Sequence, residues 1–230
     1  MKNRLMQDAR CKEVERFSNA VLGFRLFWHK KKMKNFCSAL DFFVSLHPKR
    51  EAMSKVTIKD KTFRTSMSEA QIKARVKELA QQMSRELDGK HPLFLAVLNG
   101  AFIFAADLMR EMTIPCEISF VKLASYQGTV SSGKVTEVIG INEDLTGRTV
   151  VIVEDIVETG LTIKRMMEQI GTRNPASVQV CTLFFKPDML REDLKLDYVA
   201  FPIPNDFILG YGLDYDGDGR GLKDLYVLDC

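Results

Sequence analysis

Residues 150–153 read Val-Val-Ile-Val, an unbroken run of β-branched side chains that leads straight into Glu154 and Asp155. A strand with one wet face alternates apolar and polar residues. A run without alternation reads as a strand covered on both faces, and hence as part of a parallel α/β sheet. Burying four such side chains stabilises the fold by roughly 6–12 kcal/mol gross, at about 1.5–3 kcal/mol each. Acids crowded at the carboxyl end of such a strand oppose folding, yet that end is where open α/β sheets bind ligands. Folding rules broken together in one place mark a functional site.

The turn that follows, Glu158-Thr159-Gly160-Leu161-Thr162, has the parts of a phosphate cradle. Gly160 allows close backbone approach. Thr159 and Thr162 supply hydroxyls, and the first free N–H groups of the next helix point at whatever lies above the strand. A lone Thr-Gly would read as a helix cap beside an acidic strand end. Three carboxylates, two threonines and a glycine within nine residues favour a ligand site.

Elsewhere the pattern alternates strand and helix. Ser68 and Gln71 have capping-box spacing, and Ile72, Val76, Leu79, Met83 and Leu87 form one apolar face before Gly89 and Pro92 stop the helix. Strands are predicted at 93–98, 116–123, 135–141, 177–184, 198–201 and 225–228, and helices from Gly100 to near Met112 and from Thr162 to Gly171. A polar loop rich in Ser and Gly spans 125–133. This order predicts an α/β fold, a mostly parallel twisted sheet flanked by helices on both faces.

The residues of the opening motif and several later blocks carry a resemblance. Residues 150–162 resemble the phosphoribosyl-diphosphate motif of the type I phosphoribosyltransferases. Leu98-Asn99-Gly100-Ala101, Ser125-Tyr126, Lys186-Pro187-Asp188 and the block from Ile203 to Tyr215 occur in the order seen in the hypoxanthine branch. The resemblance spans roughly residues 54–229. It implies the type I phosphoribosyltransferase fold with a small hood subdomain. It also implies purine salvage, in which phosphoribosyl diphosphate and a 6-oxopurine base give a nucleotide and diphosphate, with Mg²⁺ as the cofactor.

By the same resemblance, Glu154 and Asp155 take the ribose hydroxyls, directly or through Mg²⁺. Carboxylates suit both tasks, as acceptors and as hard oxygen ligands. Thr159, Gly160, Leu161 and Thr162 grip the 5′-phosphate. Glu158 stands where the family usually has aspartate, in the role of general acid–base at purine N7. Lys186 reaches the exocyclic O6, Phe207 stacks on the purine and the Ile208 carbonyl meets the base edge. Leu98, Asn99 and Gly100 form the loop that turns an N–H toward diphosphate through a non-proline cis peptide, with Asn99 where many relatives have lysine. Arg220 lies near diphosphate, and Asp214 joins Glu154 and Asp155 as a metal residue, often through water. Ser125 and Tyr126 match a loop that closes over the site and keeps water from the ribose carbon. Read without that context, Lys186 would be a snorkelling surface lysine, Phe207 a core ring and Arg220 a solvated charge.

Charge divides the chain. Residues 1–52 carry twelve Lys/Arg against five Asp/Glu, a net +7, whereas residues 53–230 carry 21 against 25, a net −4. Residues 1–52 are expected to be a basic extension outside the catalytic fold, with Met53 the natural start of the phosphoribosyltransferase domain, residues 53–230. The extension lacks signal-peptide order and any nucleic-acid motif. No apolar window is long enough to span a membrane. Five scattered cysteines suggest reduced thiols and a cytoplasmic setting. Dimers and tetramers are common in the family, so a homo-oligomer is expected. Two other readings remain at this stage. One is a transferase for xanthine or a pyrimidine, and the other is a ligand-sensing regulator on the same fold.

Overall fold

The apolar run lies in the middle of a sheet. The computed structural model describes residues 54–124 and 136–229, which lie in one compact unit, residues 52–230. The expected extension, 1–52, and the loop holding Ser125 and Tyr126 fall outside the described residues. The elements in chain order are β1 Lys55–Ile58, β2 Lys61–Met67, α1 Glu69–Glu86, β3 Leu93–Leu98, α2 Phe102–Glu111, β4 Glu117–Ala124 and β5 Thr136–Ile139. They continue with β6 Thr149–Val157, α3 Leu161–Gly171, β7 Ser177–Phe185, β8 Tyr198–Pro202, β9 Ile208–Leu209 and β10 Leu225–Leu228.

The larger sheet has the order β5-β4-β3-β6-β7-β8. Its five strands from β4 to β8 are parallel and β5 pairs antiparallel at the edge. From β3 the chain moves one way to β4, and from β6 it moves the other way to β7. The crevice of this open sheet therefore opens between the carboxyl ends of β3 and β6, at the point where strand order reverses. Val150, Val151, Ile152 and Val153 are each at most 1% exposed, as the run without alternation requires.

Two apolar layers enclose the sheet. On one face Ile72, Val76, Leu79 and Met83 of α1 and Phe104 and Leu108 of α2 pack with Phe94, Val151 and Val153. On the other, Ile163, Met166 and Ile170 of α3 pack with Leu95, Ile152 and Val180. Helix α1 begins where the spacing predicts. Ser68 Oγ accepts the Gln71 N–H at 3.4 Å, and Gln71 Oε1 accepts the Ser68 N–H at 2.9 Å.

The β1–β2 hairpin was not predicted, and two predicted features differ from the sequence reading. Strand β6 runs to Val157, so Glu154 and Asp155 belong to the strand itself and are not its terminal residues. Strand β10 does not join the parallel sheet. It pairs antiparallel with β2 and β9 in a second, four-stranded sheet of order β1-β2-β10-β9. This is the small hood, with its own core of Phe63, Leu209 and Tyr226.

The Ser68→Ala protein loses one arm of the capping box. Its stability is expected to fall by about 1 kcal/mol, lowering Tm by about 2–4 °C for a fold of this size. Thermal denaturation checks this, and an unchanged Tm would show that tertiary packing alone sets the start of α1.

Candidate active site

Strand register assembles the site. Strand β3 pairs with β6 only as far as Ala96 opposite Val153. Strand β7 stays paired with β6 through Val157 opposite Phe185. Beyond Val153, β6 therefore has a neighbour on one side and the turn after β3 on the other. Glu154 and Asp155 lie on that stretch.

The turn after β3 contains a cis peptide between Leu98 and Asn99. Gly100 then passes so close to Asp155 that a Cβ there would lie 1.5 Å from Oδ2. Only glycine fits. On its other side the Gly100 carbonyl rests against Gly212. Asp155 is buried, and its Oδ1 accepts the Ile156 N–H at 2.9 Å. Glu154 Oε2 is buried without a hydrogen-bond partner.

Burial, reinforced by the Asp155 carboxylate and by a hydrogen bond to it, pushes the Glu154 carboxyl well above the ordinary range. Burial raises Asp155 as well, opposed by hydrogen bonds from Glu154 and the Ile156 N–H and by the charge of Arg220. An oxygen acceptor held dry with no donor is a site for a sugar hydroxyl or a hard cation. Among the described residues no group of three His, Cys, Asp or Glu gathers around one point. The three acids proposed for a metal therefore do not form a single protein cage. Two adjacent carboxylates nonetheless fit Mg²⁺, which commonly takes one or two of them and completes its shell with water and substrate phosphate.

The cradle of the turn follows. Gly160 has φ +81° and, as the residue before α3, has no side chain to cap the helix. Thr159 Oγ1 accepts only a long bond, 3.4 Å, from the Leu161 N–H. Glu154, Glu158, Thr159, Gly160 and Thr162 line one open cleft. The segment after β7 packs against the turn, with the Arg191 N–H donating to the Thr159 carbonyl at 3.1 Å and Leu190 against Gly160. Leu161 and Thr162 are exposed at the start of α3.

Lys186 is not a surface lysine. It is 5% exposed, follows directly on β7, and its N–H donates to the Val157 carbonyl at 3.0 Å. With Val157 opposite Phe185, the next residue on each strand is brought alongside the other. The Lys186 ammonium forms an ion pair with the Glu158 carboxylate. Phe207 departs from the core reading in the opposite direction, at 44% exposed. Ile208 is buried and pairs with Val227 in the small sheet.

Arg220 is engaged on both sides. It donates to the Gly212 carbonyl at 2.8 Å and pairs with Asp214 at 2.7 Å. Asp214 Oδ2 also accepts the Gly217 N–H at 2.7 Å. Asn99 is exposed. The acidic run 214–219 thus forms a tight turn, with Tyr215 and Asp218 paired across it. Sequence reading missed the turn between β1 and β2, which contacts this loop through Lys59 and Lys61. Its only sequence signal is the charged Lys-Asp-Lys break between Ile58 and Thr62.

Sequence and fold both match known proteins. The family model for the phosphoribosyl transferase domain matches residues 67–216. The hypoxanthine-guanine phosphoribosyltransferase of Mycobacterium tuberculosis (strain H37Rv) is 42% identical over 166 residues, covering 69% of this chain and 82% of that protein. The hypoxanthine phosphoribosyltransferase of Salmonella typhimurium is 37% identical over 157 residues, covering 67% and 88%. A crystal structure of a hypoxanthine-guanine phosphoribosyltransferase from Bacillus anthracis superposes with a TM-score of 0.69 at 38% identity, covering 75% of this chain and all of that one. The chain belongs to the phosphoribosyltransferase family, in its hypoxanthine and hypoxanthine-guanine branch.

Proposed function

We propose that the protein transfers the 5-phosphoribosyl group of phosphoribosyl diphosphate to hypoxanthine, and also to guanine, giving IMP or GMP and diphosphate. The observation that carries this reading is the Glu158–Lys186 pair at the edge of the phosphate cradle. A 6-oxopurine presents two adjacent groups on one edge, the O6 acceptor and N7. A cation and a carboxylate held side by side complement that edge. The 6-amino group of adenine offers donors where Lys186 needs an acceptor.

In the proposed reaction the purine N9 forms a bond to the ribose C1, and the bond from C1 to diphosphate breaks with its electron pair leaving on diphosphate. Glu158 exchanges the proton of the base at N7. The Thr159 and Thr162 hydroxyls and the first amides of α3 hold the 5′-phosphate, supported by the positive end of the helix. Glu154 and Asp155 accept the ribose hydroxyls. Their dry surroundings make each such hydrogen bond count for more than in water. Asn99, Gly100 and Arg220 face the diphosphate, with Leu98 setting the turn. Phe207 stacks on the base and Ile208 meets its edge. Ser125 and Tyr126 close over the bound substrates.

Glu154 and Asp155 would hold Mg²⁺, with Asp214 acting through water. The ion's contribution is to neutralise the charge that builds on departing diphosphate. A cytoplasmic setting belongs to the same proposal; among the described residues no helix is long and apolar enough to cross a membrane. A homo-oligomer and a domain beginning at Met53 complete the proposal.

The decisive experiment assays diphosphate release with hypoxanthine, guanine, xanthine and adenine. Hypoxanthine and guanine are expected to turn over, and adenine to fall behind by about two orders of magnitude or more. Turnover of xanthine alone, or of no base, would remove this assignment. Glu158→Gln is expected to cut kcat by about 10²–10⁴-fold while phosphoribosyl diphosphate still binds in calorimetry. Near-normal turnover would take Glu158 out of the proton transfer. A protein beginning at Met53 should retain the kcat and KM of the full chain, and a large loss would give residues 1–52 a part in catalysis.

A further inference from the structure

Three aromatic rings cluster in the hood. Phe63 is fully buried, and its centroid lies 6.0 Å from that of Phe207 and 6.2 Å from that of Tyr215. Tyr215 meets Phe207 edge to face, at 5.7 Å and 88° between planes. Phe207 is thus held by two rings while 44% of it stays open to solvent. Tyr215 itself is fixed from a third direction. Its hydroxyl donates to Asp60 Oδ1 at 2.8 Å and accepts from the Lys61 ammonium at 2.5 Å, and that ammonium lies 4.0 Å from the ring centroid. Lys59 donates to both the carbonyl and the carboxylate of Asp216, at 2.6 Å each. The backbone turn is closed by the Tyr215 N–H donating to the Asp218 carbonyl at 2.9 Å.

We infer that the Lys59-Asp60-Lys61 turn of the small sheet sets affinity for the base by holding Tyr215, and through it the Phe207 ring. This rests on the proposed role of Phe207 as the purine-stacking ring. Isolated exposed ion pairs contribute little. Here, however, three side chains of one turn converge on one tyrosine and its next neighbour, tying the ring at its hydroxyl end and at its backbone. An open aromatic ring stacks well only in one orientation, and an edge-on neighbour is what selects that orientation. Tyr215 touches no proposed substrate atom, so its part is that of a positioning residue.

The test is steady-state kinetics on the full chain. Tyr215→Phe keeps the ring and removes both hydroxyl partners. It should raise KM for hypoxanthine about three- to tenfold, the size of effect expected when one hydrogen bond that holds the ring is lost. Because Asp214 is the adjoining residue, a general loosening of the loop would instead weaken phosphoribosyl diphosphate. Its KM, and kcat, should stay within about twofold of wild type. Asp60→Asn keeps an acceptor for the hydroxyl and should match wild type, whereas Asp60→Ala should follow Tyr215→Phe. An equal rise in both KM values, a fall in kcat alone, no change in Tyr215→Phe, or Asp60→Asn as impaired as Asp60→Ala would each overturn the inference. Failure of the proposed function would appear separately, as a wild-type protein that turns over no base. In that event ¹⁹F-phenylalanine labelling of the unliganded protein decides the positioning claim. The Phe207 resonance, assigned with Phe207→Leu, should move in Asp60→Ala, and an unmoved resonance would refute it.

Discussion

The register of β6 against its two neighbours is the constraint from which the site follows. Strand β3 ends its pairing at Val153, and β7 keeps pairing to Val157. The first fact leaves Glu154 and Asp155 facing the turn that carries Gly100, and the second sets Glu158 beside Lys186. The second contact is the next step along paired strands, and the first is made by the turn that leaves β3. The cost of the arrangement is electrostatic. Two adjoining carboxylates are raised by burial, and an ammonium sits in the protein with one carboxylate for company. Removing the partner of a buried charge costs about 3–5 kcal/mol in a dry interior, and less here because Glu158 is half exposed. The dry Val-Val-Ile-Val run upstream supplies the burial that offsets such terms.

The two sheets divide the work of the proposed reaction. The larger one offers strand ends and a helix N-terminus to the phosphorylated sugar, with acids for its hydroxyls. The smaller one offers Phe207 to the base. The segment from Gly210 to Arg220 joins them, since Gly212 lies against the Gly100 carbonyl while Arg220 bonds Gly212 and pairs with Asp214. A shift of the hood is therefore felt at the turn after β3, and a transferase needs its two substrates held in one frame.

Much of this was legible from local pattern. The unbroken apolar run, the Ser68–Gln71 box and the Thr-Gly turn each act within a few residues of chain, and each stands where it was expected. What was illegible depends on partners distant in sequence. Leu225–Leu228 reads as a strand, but nothing local says that its neighbours are β2 and β9. The β1–β2 hairpin escaped notice because its short strands mix Lys, Thr and Arg with single apolar residues such as Val56, Ile58 and Phe63. Lys186 and Phe207 reversed the burial that their side-chain types suggest, a lysine inside and a phenylalanine outside. Both inversions fall at positions proposed to meet the base, where composition rules would yield to chemistry.

Glutamate at 158, where the resemblance leads one to expect aspartate, is understandable on the same register. The backbone positions of residues 158 and 186 are fixed by the pairing of β6 with β7, so the only free variable is side-chain reach. One additional methylene moves a carboxylate by about an ångström, a displacement that can cost a hundredfold when the group is left adrift. The Glu158 carboxylate is not adrift: the Lys186 ammonium holds it at the edge of the cleft. Because O6 and N7 share one edge of the purine, the cation and the carboxylate can turn to the base together without separating. In the proposed reaction the longer side chain thus gives, in place of an independent base, one oriented by the cation proposed to read the substrate.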